Sequence, residues 1–167
     1  DEILEIINLA VSIKAELKSG QKKTYMDRQT LGMIFEKSST RTRVSFEIAE
    51  RRLGGDSISI AAQGSSTSKG ESLVDTLNTL AAMRPHAVVM RHAASGAPQF
   101  VSRHLKLPIV NAGDGTHEHP TQALLDARTI LDHRPTLTGL RVAIIGDIAH
   151  SRVARSNIHL LSKFGAD

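Results

Sequence analysis

The segment best equipped for chemistry is residues 38–43, which carry four hydroxyls and two guanidiniums. An apolar run at residues 31–35 precedes it and is typical of a buried strand. Apolar residues at helical spacing follow it as far as Leu53. A polar segment between a strand and a helix offers backbone N–H groups as well as side chains, and both suit an anion such as phosphate. The alternative is an ordinary capped helix with two solvated arginines, and the residues alone leave both interpretations open.

Four further polar clusters follow predicted strands, at residues 65–69, 91–92, 111–122 and 147–155. Taken singly, a strand-end cation such as Arg91 is usually solvated. Ligands of parallel α/β sheets bind at the carboxyl ends of the strands, so the recurrence of these clusters favours one shared site.

His119 and Gln122 stand three residues apart at the start of a predicted helix, so their side chains share a face. Together they could contact a small group that contains a carbonyl and an amine, although bonding to the local backbone is an alternative. A metal site at His117, Glu118 and His119 is disfavoured, because the two histidines cannot share a helix face and no further ligand is evident. No catalytic triad is evident either. Donors without a covalent nucleophile suggest transfer between two bound substrates, driven by orientation and charge stabilisation.

Composition narrows the class of partner. The 167 residues are 40% hydrophobic and 23% charged, with a formal net charge of +4. The basic residues are scattered and aromatic residues make up only 3%, so a small anionic ligand accounts for the charge better than nucleic acid does. No apolar run reaches the roughly 20 residues that span a membrane, and no signal peptide is evident. The chain has no cysteine, which is compatible with a reducing cytoplasm, and we expect a cytoplasmic protein. From the other observations we expect neither membrane nor nucleic-acid partners and no metal.

The polar clusters follow strands in a chain where predicted strands and helices alternate. This alternation predicts an α/β fold, with a central parallel sheet covered by helices on both faces. The predicted strands are residues 31–35, 57–60, 86–90, 108–111 and 141–147, and the predicted helices are residues 3–17, 44–53, 72–83, 96–105, 119–131 and 152–164.

Six motifs from Leu31 onward resemble the aspartate carbamoyltransferase family, whose superfamily also contains the ornithine enzymes. Residues 39–43 mark the superfamily, and residues 35–38 are closer to the ornithine branch. The motifs at residues 111–115, 119–122 and 146–157 point to the aspartate branch. The six motifs are residues 39–43, 69–71, 90–92, 111–115, 119–122 and 146–157.

The resemblance implies a three-layer, Rossmann-like carbamoyltransferase N-terminal domain and a division of the chain. Residues 1–134 would form the carbamoyl-phosphate-binding domain, and residues 135–167 the beginning of an aspartate-binding domain. We therefore expect this polypeptide to bind carbamoyl phosphate or phosphate weakly and to turn over poorly by itself, because most of the second domain is absent.

The resemblance also implies the role of each site residue. Arg91 would bridge the phosphate and the carbonyl of carbamoyl phosphate, His119 would donate to the carbonyl oxygen, and Gln122 would hold the carbamoyl amine. Arg152 would bind a carboxylate of L-aspartate. The phosphate would be held by Ser39, Thr40, Arg41 and Thr42.

Two further residues would complete the site of a neighbouring subunit, so that the active unit is a homotrimer. Lys69 is one of them, and Ser68 is preferred over Ser65 and Ser66 as the other. Larger assemblies with regulatory or dihydroorotase-type chains are compatible with the resemblance. Glu36 stands one place before the position at which the family has a glutamate for contact between its domains, and that position holds Lys37.

The implied reaction is carbamoyl transfer from carbamoyl phosphate to the α-amino group of L-aspartate, a step of pyrimidine biosynthesis that needs no cofactor. Two alternatives remain. One is a carbamoyltransferase that acts on ornithine or another amine, and the other is a non-catalytic homologue that serves as a scaffold.

Overall fold

The computed structural model describes residues 2–21, 23–36, 39–61 and 73–167. Helices and strands alternate through the first four strands, which confirms the predicted α/β class. In chain order the elements are α1 Glu2–Lys18, β1 Thr30–Phe35, α2 Thr40–Arg52, β2 Asp56–Ala61, α3 Leu73–Ala82, β3 Ala87–His92, α4 Ala97–His104, β4 Ile109–Asp114, α5 Pro120–His133 and α6 Arg152–Lys163.

The chain divides into two compact units, described separately below. The sheet unit, Lys22–Gly115, contains β1 to β4 and α2 to α4. The helical unit combines Asp1–Gln21 with Thr116–Asp167 and contains α1, α5 and α6. This division reflects compactness, which is a different criterion from a family domain boundary, so the boundary between residues 134 and 135 stays a prediction.

The sheet unit is built on four parallel strands in the order β2-β1-β3-β4. Both faces of this sheet are covered. On one face Ile34, Val88 and Met90 pack with residues of α3 and α4, and on the other Met33 packs with Phe46 of α2. Strands buried on both sides explain why β1 and β3 read as continuous apolar runs rather than alternating ones.

Helix α2 begins four residues earlier than the apolar periodicity predicts. Ser39 takes the N-cap position, and Thr40 opens the helix. The helix ends at Arg52, and Gly54 follows with a φ of +88°, a conformation that favours glycine. Residues 40–43 are therefore the first turn of a helix rather than a loop ahead of it.

The helical unit packs its three helices around a core of its own. Ile7 of α1, Ala127 of α5 and Leu160 and Leu161 of α6 are buried in this core together with Leu137. Pro120 stands in the first turn of α5, where its missing N–H costs nothing.

The predicted strand at residues 141–147 is wrong, because this segment is neither helix nor strand. Leu140 and Val142 each exchange a backbone hydrogen bond of 2.7 Å with Asp167. Beyond Val142, no strand within the described residues lies beside the chain, and the Ile145 side chain is 93% exposed. An apolar run becomes a strand only where a neighbouring strand satisfies its backbone groups.

Candidate active site

Three of the predicted site residues meet at the carboxyl edge of the sheet unit, and we call them the hydroxyl–arginine cluster: Ser39, Thr42 and Arg91. The Ser39 hydroxyl donates to Thr42 Oγ1 over 3.0 Å. Arg91 Nη1 donates to the same Thr42 oxygen over 3.4 Å and to the carbonyl of Ala112 over 3.2 Å. Strands β1 and β3 are neighbours, with Phe35 paired to Arg91, so the residues that follow one strand meet the side chain that ends the other.

The orientation of Ser39 distinguishes the two interpretations that the sequence leaves open. Ser39 is the N-cap of α2, yet its side chain makes no capping hydrogen bond and contacts Thr42 Oγ1 instead. An ordinary capped helix would use that hydroxyl to accept a backbone N–H of its first turn. Thr40 and Arg41 lie in this first turn with exposed side chains. The arrangement is therefore the helix N-terminus with surrounding donors that favours an anion.

Two carboxylates that the sequence interpretation assigned no site role organise the edge around this cluster. Glu36 Oε2 accepts the Ala93 N–H over 2.8 Å and lies 3.2 Å from His92 Nε2. Asp114 is fully buried at the end of β4, where it accepts the N–H of Gly96 over 2.5 Å and the side-chain amide of Asn111 over 2.9 Å. A carboxylate at the end of a strand, as the last residue or the residue after it, is the signal that could have identified both.

His119 lies in the helical unit, at the N-cap of α5, and is buried. Its backbone N–H donates to Ser156 Oγ of α6 over 2.8 Å, and the Ser156 hydroxyl in turn donates to Glu118. Thr121 Oγ1 lies 3.4 Å from His119 Nδ1. Ser156 is buried as well, so the start of α5 is fixed by a polar contact closed to water.

Gln122 is oriented by a carboxylate one helical turn further along α5. Its Nε2 donates to Asp126 Oδ1 over 2.9 Å, and Asn157 Nδ2 of α6 donates to the other oxygen of Asp126 over 2.7 Å. Because Asp126 engages the amide nitrogen, the atom that Gln122 can offer to an amine is its carboxamide oxygen. Asp126 and Asn157 are positioning groups that the sequence interpretation missed.

Arg152 opens α6 in the helical unit and is half-buried. The preceding Ser151 caps the helix, since its side chain accepts the Ala154 N–H over 3.1 Å. The cap fixes the direction in which α6 begins, and with it the position of Arg152.

The remaining predicted site residues, Ser65, Ser66, Ser68 and Lys69, lie outside the described residues. Within the ranges that are described, no group of three or more histidine, aspartate or glutamate side chains is arranged to hold a metal ion. No helix in that part of the chain is long and apolar enough to cross a membrane.

The parallel sheet and the hydroxyl–arginine cluster at its carboxyl edge define the class: an α/β protein with a candidate anion site beyond the strand ends. The family model for the carbamoyl-P binding domain of aspartate/ornithine carbamoyltransferases matches residues 1–132. The chain belongs to this family.

Curated relatives and solved structures agree with this assignment. The aspartate carbamoyltransferase catalytic subunit of Solibacter usitatus is 66% identical over 167 residues, which cover 99% of this chain and 55% of that protein. The aspartate transcarbamoylase of Trypanosoma cruzi in complex with carbamoyl phosphate and aspartate has a TM-score of 0.92 and 35% identity, over 98% of this chain and 54% of its own. The chain thus spans about half the length of the relatives that it matches.

The ornithine branch is represented among the solved structures too. The ornithine carbamoyltransferase of Pyrococcus furiosus has a TM-score of 0.90 and 34% identity, over 99% of this chain and 52% of its own. Fold similarity alone therefore does not separate the two acceptors.

Proposed function

We propose that this chain is the carbamoyl-phosphate-binding part of an enzyme that transfers a carbamoyl group from carbamoyl phosphate to the α-amine of L-aspartate. The observation that carries the proposal is the hydroxyl–arginine cluster, in which Arg91 contacts Thr42 at a helix N-terminus. The products would be N-carbamoyl-L-aspartate and phosphate, as in pyrimidine biosynthesis. No cofactor is needed, because a carbamoyl phosphate already carries its leaving group.

In the sheet unit, the first turn of α2 would bind the phosphate. Ser39, Thr40 and Thr42 supply hydroxyls, and Arg41 supplies a guanidinium. Arg91 would bridge the phosphate and the carbonyl oxygen, since a guanidinium presents several donors in one plane. These donors would stabilise the charge that develops on phosphate as the bond to the carbonyl carbon breaks.

In the helical unit, His119 and Gln122 have the chemistry that the carbamoyl group requires. His119 would donate to the carbonyl oxygen and stabilise the oxyanion of the tetrahedral intermediate. The carboxamide oxygen of Gln122 would accept from the carbamoyl amine, which agrees with the engagement of its Nε2 by Asp126. Arg152 would bind a carboxylate of aspartate. The α-amine would then attack the carbonyl carbon, and phosphate would leave.

The aspartate acceptor is favoured over ornithine by the relatives. The Solibacter protein, at 66% identity, is named for aspartate, whereas the ornithine enzyme of Pyrococcus furiosus is 34% identical. A non-catalytic scaffold is disfavoured, because Arg91, His119 and Gln122 are all present and held by specific contacts.

The remaining parts of the proposal follow from the family resemblance. They are a homotrimer in the cytoplasm, with Lys69 and Ser68 reaching a neighbouring site and the option of larger assemblies with regulatory or dihydroorotase-type chains. We propose residues 1–134 as the carbamoyl-phosphate domain and residues 135–167 as the beginning of the aspartate domain. The match of the family model to residues 1–132 supports this boundary.

Calorimetric titration with a bisubstrate mimic that carries a phosphonate and an aspartate moiety tests the proposal. We expect binding by the chain and a clear loss of affinity in Arg41→Ala and in His119→Ala. Binding that survives both substitutions unchanged would contradict the assignment. Assay of the amine that is carbamoylated, in the full-length protein, separates aspartate from ornithine.

A further inference from the structure

Glu36 makes three contacts with consecutive residues at the end of β3. Its backbone N–H donates to the carbonyl of Arg91 over 3.1 Å. Its Oε2 accepts the N–H of Ala93 over 2.8 Å and lies 3.2 Å from Nε2 of His92. One residue directly after β1 therefore holds Arg91 and the two residues that follow it.

The proton on the imidazole of His92 can be assigned from its other partner. His92 Nδ1 accepts the backbone N–H of Ala94 over 2.9 Å, so in the neutral ring the proton lies on Nε2. That nitrogen faces the Glu36 carboxylate. The contact is a hydrogen bond from imidazole to carboxylate, and it is well shielded on the His92 side, where the side chain is only 15% exposed.

The pairing of β3 with β4 is irregular at Arg91. The register between β3 and β4 shifts between Met90 and His92: Met90 pairs with Asn111, but His92 pairs with Asp114. Arg91 stands within this irregularity, and its side chain donates to Ala112 on the opposite strand. Such irregularities re-aim side chains, and they leave part of the ladder unpaired.

We propose that Glu36 is a positioning residue of the candidate site, which acts by fixing the backbone from which Arg91 reaches Thr42. The proposal rests on the proposed function, because it takes Arg91 as a contact of carbamoyl phosphate. This role of Glu36 differs from a contribution to stability alone, because Glu36 would affect ligand binding through the position of Arg91. On the β4 side the ladder is shifted at Arg91 and resumes where the carbonyl of His92 accepts the Gly115 N–H over 3.0 Å. On the β1 side Glu36 holds the same stretch of β3.

The test compares carbamoyl phosphate affinity by calorimetry in Glu36→Ala and Glu36→Gln. The alanine variant removes the acceptor for Ala93 and His92, and we expect affinity to fall about tenfold. The glutamine variant can place a carbonyl oxygen where Oε2 lies and accept both hydrogen bonds, so we expect it to stay within about threefold of the wild type. Glu47→Ala is the matched control, since the side chain of Glu47 pairs with Arg43 of α2 and accepts from Ser59 of β2.

A double-mutant cycle with Arg91→Lys separates positioning from stability. If Glu36 acts through Arg91, Glu36→Ala should cost less than about twofold when Arg91 is already lysine. An equal loss in both backgrounds, or a Glu36→Ala variant with wild-type affinity, overturns the proposal. Loss of affinity in Glu47→Ala equal to that in Glu36→Ala would overturn it too, because the effect would then be general.

The same measurements keep this inference apart from the proposed function. Binding by the wild type that weakens in Arg91→Lys but not in Glu36→Ala leaves the function standing and contradicts only the role of Glu36. Absence of carbamoyl phosphate binding by the wild type contradicts both. Thermal unfolding of each variant, followed by circular dichroism, establishes that the compared proteins are folded at the titration temperature.

Discussion

The sheet unit and the helical unit both carry predicted site residues, but they position them by different means. In the sheet unit, Ser39, Thr42 and Arg91 contact one another, because the ends of two adjacent strands bring them together. In the helical unit, His119 and Gln122 are each held by residues with no proposed role in chemistry. The first arrangement is assembled by sheet register, and the second depends on individual polar contacts between two helices.

The cores of the two units differ in how completely they bury their large side chains. The sheet unit buries large side chains almost completely, among them Met33, Leu80 and Met90, each 0% exposed. The helical unit buries Ala123 and Ala127 at comparable depth, while its larger core residues are slightly more exposed, from 2% for Leu137 and 3% for Ile7 to 6% for Leu161 and 7% for Leu160. We therefore expect the truncation of a fully buried side chain in the sheet-unit core to cost more stability than the same truncation in the helical-unit core.

The largest effect should come from Leu80→Ala. Leu80 of α3 is fully buried in the sheet-unit core, so its loss leaves a cavity, and we expect the free energy of unfolding to fall by about 3–5 kcal/mol. Leu160→Ala in the helical unit should cost less, about 2–3 kcal/mol, and Leu125→Ala, at a side chain 61% exposed, less than about 1 kcal/mol. Urea unfolding measures all three, and equal losses at Leu80 and Leu160 would remove the contrast between the cores.

The second-largest effect should be on the affinity for carbamoyl phosphate. Arg91→Ala should weaken carbamoyl phosphate binding about 100-fold, because hydrogen bonds to charged groups contribute about 1.5–3 kcal/mol each. Arg128→Ala is the control, since Arg128 is paired with Asp132 on the exposed side of α5. Titration calorimetry measures both affinities. Similar affinities in the two variants would mean that the hydroxyl–arginine cluster is not the phosphate site.

The sheet unit also shows which features a sequence can predict: local elements are predictable, but contacts between distant residues are not. The apolar runs of β1 and β3 were sufficient to predict these two strands, and the polar residues at their ends were sufficient to predict a candidate site at this edge of the sheet. The contact between Thr42 and Arg91 was not predictable, because these residues are 49 positions apart and meet only through the strand order β2-β1-β3-β4.

Two further examples have the same physical cause. Residues 141–147 have the apolar pattern of a strand, but in the described part of the chain no strand lies beside residues 143–147. Ser156 looks like an ordinary helical serine, and its role depends on the buried N–H of His119, 37 positions away. A local sequence pattern indicates which element a segment could form, whereas the neighbouring segments determine whether it forms that element.

Within the helical unit, Ser156→Ala tests whether a single polar contact between two helices holds the start of α5. The substitution removes the Ser156 acceptor from the buried His119 N–H and removes one donor from Glu118, which keeps its contact with His159. We expect the free energy of unfolding to fall by about 1–3 kcal/mol. Ser162→Ala, at an exposed position of the same helix, should change it by less than about 0.5 kcal/mol. A Ser156→Ala protein as stable as Ser162→Ala would show that this contact does not hold the start of α5.

The smallest effect should come from a buried carboxyl group of the sheet unit, Glu50 of α2, whose side chain is 1% exposed. Burial raises its pKa above the ordinary carboxyl range. The Ser57 hydroxyl and the Leu31 N–H oppose this rise in pKa, Asp56 adds to it, and Arg51 opposes it. Glu50 Oε1 accepts the Leu31 N–H over 3.1 Å, while Oε2 has no hydrogen-bond partner among the described residues.

A raised carboxyl pKa has a defined consequence for stability. Between its unfolded and folded pKa values, the native state binds more protons than the unfolded state, so the contribution of Glu50 is complete below the unfolded pKa and is lost as pH rises through the folded one. Relative to Glu50→Gln, the wild type should therefore lose stability as pH rises above the ordinary carboxyl pKa. Urea unfolding at a series of pH values measures the difference. Glu5→Gln, at an exposed position of α1, should run parallel to the wild type, and a Glu50→Gln curve that did the same would show that Glu50 titrates normally.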